Sequence, residues 1–145
     1  MPTYWDTSCI LKLYCPEPDS DRYLDLLEAE PDRPVSSAIM KSEFVYALHQ
    51  KVLRKELSRT EATRLQTRFN SHLSREHLLL LPFGHDVQAE AARIAKTCYQ
   101  RRSPIPLRTL DGLHLATAVL AKCPTIITAD DRMRSAAEVI GIDFA

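Results

Sequence analysis

The sequence is short of glycine, of paired cysteines, of long apolar runs and of net charge. Each shortage removes a class of function. Three glycines in 145 residues leave no material for a Gly-rich phosphate loop. The four cysteines, Cys9, Cys15, Cys98 and Cys123, form no C-x-x-C pair and no zinc-ribbon spacing. They are expected as reduced thiols in a cytoplasmic protein, with Cys98 and Cys123 serving as small core residues. No apolar run approaches the length needed to cross a bilayer, so no membrane association is expected. The opening MPTYWDTS has neither a basic n-region nor an apolar h-region, so no signal peptide is expected. Lys plus Arg and Asp plus Glu both number 19. There is no global pull toward a polyanion, and any such site must be a local patch.

What is present is an alternation of short apolar segments with longer helical patterns, over a length that suits a single domain spanning 1–145. PTYW reads as a strand, followed by a helix over Thr7 to Tyr14 that Pro16 stops. Asp19 or Ser20 caps a second helix. PVSS is a brief strand. A long helix follows, with Ile39, Met40, Phe44, Ala47, Leu48 and Val52 at helical spacing. Ser58 and Glu61 have capping-box spacing and open another helix. HLLLLPF, from His77 to Phe83, reads as a buried strand. His85 to Gln100 is a helix with Val87, Ala91, Ile94, Ala95 and Cys98 inward. A basic, Pro-broken loop over 101–109 leads into a helix over 110–122, with Leu110, Leu113, Ala116, Thr117 and Leu120 inward. Then come a strand from Thr125 to Thr128, a helix from Asp131 to Ile140 ended by Gly141, and an edge strand over 142–144. Strands alternating with helices indicate an α/β sandwich around a mainly parallel sheet. Ligands of open sheets bind beyond the carboxyl ends of the strands.

Four acids stand out by position. Asp6 follows the first strand and Asp130 follows the strand at Thr125; each has the position of a helix N-cap. Glu43 borders an apolar stripe, where an unpaired carboxylate is costly, so a partner or cation is expected. Asp111 sits in the first turn of an apolar helix, where the helix dipole favours an acid. Four acids converging on one sheet edge would repel each other unless a hard divalent cation held them.

Taken in order, YWDTSCILKLY, SEFVYAL, LDGLHLATA and TADDRM resemble the PIN-domain ribonucleases, and among them the VapC-type toxins of toxin–antitoxin pairs. The likeness runs from Tyr4 to Ile142. It implies a three-layer PIN-like sandwich, a central sheet flanked by helices, and an endoribonuclease using Mg²⁺ or Mn²⁺. By the resemblance the catalytic acids are Asp6, Glu43, Asp111 and Asp130, with Asp6, Asp111 and Asp130 on the metal. Ser8 and Thr128 would orient carboxylates or waters. His114, three residues after Asp111, is read as supporting the acids, and Asp131 as a cap or supporting group; the Asp130–Asp131 doublet leaves the fourth acid open, with T-x-D spacing favouring Asp130. Gly112 stands where the family commonly has Ala. RNA beside so acidic a site needs cations, and Lys12, Arg101, Arg102, Arg108, Arg132 and Arg134 are the candidates. The toxin reading also implies a cognate VapB-type antitoxin and a homodimer.

A non-toxin PIN nuclease that processes RNA stays open as a reading, because toxicity is not a property of the fold; the other rivals fit less well. A receiver-like, Mg-binding, non-catalytic domain would need adjacent acids before the first helix and a Lys after a late strand; Asp6 stands alone, and no Lys follows Thr128. A haloacid-dehalogenase phosphatase needs D-x-D, which Asp6-Thr7-Ser8 lacks.

Overall fold

The computed structural model describes residues 1–145. The strands are β1 (Tyr4–Trp5), β2 (Val35–Ser37), β3 (Leu79–Leu81), β4 (Thr125–Ile127) and β5 (Asp143–Phe144). The helices are α1 (Thr7–Tyr14), α2 (Ser20–Glu28), α3 (Met40–Leu53), α4 (Arg59–Ser74), α5 (His85–Tyr99), α6 (Thr109–Leu120) and α7 (Asp131–Ile140). The strands form one sheet in the order β3-β2-β1-β4-β5, and every pairing is parallel.

Alternation along these short strands builds the three layers, because successive side chains leave opposite faces of a sheet. Tyr4 and Ile126, paired across β1 and β4, face a core completed by Ile94, Leu115, Ala136 and their neighbours from α5, α6 and α7. Trp5 and Ile127, paired one residue on, face the other core, with Cys9, Tyr23, Phe44 and Phe69 from α1 to α4. The chain runs outward from β1 to β2 and β3, then returns to the other side of β1 with β4. The order therefore reverses at β1/β4. The crevice at such a reversal is where ligands of open sheets bind, and Asp6 and Asp130 both lie there. This order is not the 2-1-3-4-5 order of receiver domains, which removes the receiver-like alternative.

Helix ends obey local chemistry. Asp6 caps α1 by accepting from the Cys9 N–H, Ser58 caps α4 through Glu61 N–H, and Asp130 caps α7 through Met133 N–H. Gly141 takes φ +84° and closes α7 in the left-handed region, as the sequence predicts. Asp19 precedes α2 but makes no capping bond, because its carboxylate goes to Lys12.

Several expectations need correction. β3 is shorter than His77 to Phe83 and is not buried. It lies at the edge of the sheet, where one side has no neighbouring strand. Ala95 faces outward on α5. Leu110 and Leu120, expected inward, are 49% and 42% exposed. The inward surface of α6 is instead Gly112 and the run His114 to Ala118, since α6 lies against both the sheet and α5. All four cysteines are buried and free.

Candidate active site

The sheet edge beyond β1 and β4 gathers three carboxylates. Asp6 is 4% exposed. Its Oδ1 accepts from the Ser8 hydroxyl at 2.8 Å and from the Cys9 N–H at 2.9 Å. Its Oδ2 accepts from the fully buried Thr128 hydroxyl. Three donors on one carboxylate fix its direction. Thr128 in turn accepts from the Asp130 N–H at 3.1 Å, so the strand end that begins T-A-D ties two of the acids together. Ser8 and Thr128 thus both donate to Asp6.

Asp130 caps α7 through Oδ1, with Met133 N–H at 3.0 Å. Its Oδ2 meets Arg108 at 3.3 Å. The same guanidinium reaches Asp111 Oδ2 at 3.1 Å. Asp111 is 13% exposed at its side chain, and its pKa is raised. Burial is the main cause; Arg108 opposes it, while the charges of Asp130 and Asp6 add to it. Three acids are therefore close enough to feel one another, and a cation already stands between two of them. No three His, Cys, Asp or Glu side chains are grouped at ligand spacing: Arg108 lies between Asp111 and Asp130, and Asp6 is turned to its own donors. Asp131 does not belong to this cluster. Its side chain is 97% exposed, with only Arg134 nearby at 4.0 Å, so the cap is Asp130 and the supporting role considered for Asp131 has no contact behind it.

Glu43 reaches the edge from α3 and has the partner its position demands. The Thr7 hydroxyl donates to Oε1 at 2.7 Å, and His114 Nε2 lies 2.6 Å from the same oxygen. Burial pushes the Glu43 pKa up, but His114 and Thr7 outweigh it and the pKa is lowered. His114 is buried on the face of α6 that also bears Asp111, as i,i+3 spacing requires. Thr7 and Tyr4 went unnoticed in the sequence. Thr7 was legible as the middle residue of D-T-S. Tyr4 carries no such signal, since its hydroxyl finds His114 only through the packing of β1 against α6.

The expected cations divide. Arg101, Arg102, Arg108 and Arg132 are exposed, and Arg108 joins the acids. Lys12 is engaged elsewhere, with Asp19 at 2.8 Å and Glu17 at 3.3 Å, and its side chain is 12% exposed. Arg134 donates to the Thr128 carbonyl at 3.0 Å and lies over the Phe144 ring. Lys12 is thus held by opposite charges and Arg134 by a carbonyl and a ring, partners that their sequence positions did not disclose.

The PIN domain family pattern matches residues 3–139. The chain belongs to the PIN domain family. This PIN domain is 35% identical over 141 residues to Ribonuclease VapC46 of Mycobacterium tuberculosis (strain ATCC 25618 / H37Rv), covering 96% of the chain and 92% of the relative. In fold it is similar to the structure of FitAB bound to an IR36 DNA fragment, with a TM-score of 0.75, 21% identity, and coverage of 99% of this chain and 93% of that one. It is also similar to VapBC2 from Rickettsia felis bound to a promoter DNA fragment, with a TM-score of 0.70, 16% identity, and coverage of 100% and 98%.

Proposed function

We propose that this PIN domain is a metal-dependent endoribonuclease and the toxin of a type II toxin–antitoxin pair. The observation that carries the reading is the meeting of Asp6, Asp111 and Asp130 where the sheet order reverses, in a chain 35% identical to a ribonuclease across nearly its whole length. The donor set fits Mg²⁺ or Mn²⁺: it is all hard oxygen, and its mutual repulsion is partly relieved by Arg108. Asp6, Asp111 and Asp130 would hold the ion, taking over contacts that Arg108 now makes. When bound, such an ion activates water and neutralises charge on a phosphate.

The chain's own residues do the rest. Ser8, the Cys9 N–H and Thr128 hold the Asp6 carboxylate in one orientation. In this reading Glu43, whose pKa His114 and Thr7 lower, would accept a proton from an attacking water. Arg101, Arg102, Arg108 and Arg132 attract the RNA backbone to an otherwise acidic edge. The partners of this reading are RNA, a small VapB-type antitoxin that covers the acids, and a second copy of the chain. A toxin of this kind works in the cytoplasm, and no helix here is long and apolar enough to cross a membrane.

The test uses partner-free wild type and Asp6→Asn with labelled structured RNA in Mg²⁺, Mn²⁺ or EDTA. Cleavage by wild type only with metal, and none by Asp6→Asn, is the expected result. Equal cutting by both proteins would remove Asp6 from the chemistry.

A further inference from the structure

A chain of hydrogen bonds runs from the core out to the acidic edge, and the chemistry above uses only its outer end. Tyr4 on β1 is fully buried. Its hydroxyl lies 2.6 Å from His114 Nδ1, with the rings edge to face at 5.8 Å. His114 is 2% exposed. Its Nε2 lies 2.6 Å from Glu43 Oε1 and 3.2 Å from the Thr7 hydroxyl. Glu43 alone in this chain touches solvent appreciably, at 24%.

The direction of each bond follows from its partners. Glu43 Oε1 faces the Thr7 hydroxyl and the imidazole ring, and an ionised carboxylate is an acceptor only. The ring nitrogen facing it must therefore carry a proton. A phenol carries its proton at neutral pH, and the Tyr4 hydroxyl, 2.6 Å from Nδ1, directs its O–H at that nitrogen. The tautomer is thereby fixed from the core side. A free glutamate has three rotors and samples many directions. Here two donors converge on Oε1, and Oε2 has no hydrogen-bond partner in the protein.

We propose that His114 is a positioning residue: Nδ1 accepts from Tyr4, Nε2–H donates to Glu43, and the ring thereby aims the Glu43 carboxylate into the acidic edge. His114 acts through Glu43 and touches neither RNA nor ion. The inference rests on the nuclease reading of that edge.

Two measurements test it. First, the full-length protein is labelled with ¹⁵N-histidine, and long-range ¹H–¹⁵N correlations are recorded without metal. The expected pattern is a proton on His114 Nε2 and none on Nδ1, with Tyr4→Phe disturbing that preference. A proton on Nδ1, or a pattern indifferent to Tyr4→Phe, overturns the assignment. Second, His114→Leu is compared with His114→Gln, whose amide can present an N–H where Nε2–H stands. His114→Leu should lower kcat about 10- to 100-fold at unchanged KM for RNA, and His114→Gln should recover most of it. Both should keep the Mn²⁺ dissociation constant of wild type, read by calorimetry. Equal loss in the two variants, or loss that tracks a falling melting temperature, means His114 merely fills space. If wild type shows the expected tautomer but cuts no RNA in any metal, the nuclease reading fails and takes the positioning role with it. If wild type cuts and the tautomer is wrong, only the role of His114 falls.

Discussion

At the scale of the residue, Asp111 is less comfortable ionised in the fold than in the unfolded chain. Burial opposes its charge first; Arg108 relieves part of that, and Asp130 and Asp6 add to it. A raised carboxylate pKa has a definite sign in stability. Below both pKa values the folded and unfolded chains hold the proton alike, and no penalty exists. As pH rises through the folded pKa the penalty becomes complete, and it is present at neutral pH. Asp111→Asn should therefore raise the midpoint of unfolding at pH 7 while abolishing cleavage. Denaturant melts at pH 7 and near pH 4 check this, and the advantage should shrink at the lower pH. A variant less stable than wild type at pH 7 would contradict it. Glu43 has the opposite sign: its lowered pKa contributes stability above the ordinary carboxylate range, lost as pH falls through the folded value. Next to Asp111, Gly112 lies inside α6, where a Cβ would meet only the Leu107 side chain at an ordinary 3.8 Å. Gly112→Ala should stabilise the protein by up to about 1 kcal/mol, because alanine has less backbone freedom to lose in a helix. Thermal melts read this directly, and a loss of stability would show that Leu107 cannot accommodate the methyl.

At the scale of the element, α4 depends on a single fully covered side chain. Phe69 is its only buried residue. It stacks on Phe44 of α3, with centroids 3.9 Å apart, and meets Tyr14 of α1 edge to face at 5.6 Å. Three helices are joined through those rings, and aromatic truncation in a core costs about 3–5 kcal/mol. Phe69→Ala should lower stability by that amount and raise hydrogen exchange first in the amides of α4. Exchange that rises evenly through the chain would show that α4 is not separately anchored. By contrast α6 is held along most of its length, from Gly112 to Ala118. That is why the two residues it lends to the edge, Asp111 and His114, have fixed positions.

At the scale of the whole molecule, the acidic edge is a cost to the fold that a bound Mg²⁺ or Mn²⁺, if the proposal holds, would offset. A ligand that binds only the folded state stabilises it by about 2.7 kcal/mol when present at 100 times its dissociation constant. Mn²⁺ should raise the melting temperature of wild type, EDTA should reverse the gain, and Asp6→Asn should show little of it. A wild type indifferent to Mg²⁺ and Mn²⁺ would leave Arg108 as the permanent occupant of the edge and remove the metal from the proposal. This readout needs no RNA, so it separates ion binding from the search for a substrate.

Much of this molecule is written in local pattern. Helices came from apolar spacing, their ends from Asp6, Ser58, Asp130 and Gly141, and the parallel sheet from alternation of strand and helix. Those signals are short in range, so the chain states them directly. The positions of Asp6 and Asp130 were legible for the same reason, since each follows a strand and opens a helix. Other features exist only because distant segments meet. The edge position of β3 depends on strand order, which no property of HLLLLPF encodes. The capture of Lys12 by Asp19 and Glu17 depends on how α1 and α2 meet. The bridge that Arg108 makes from Asp111 to Asp130 spans 22 residues of sequence at one end. The Tyr4–His114 bond spans 110. A hydrogen bond needs its atoms within about 3 Å, and only the packed sheet and helices bring residues so far apart in the chain to that distance.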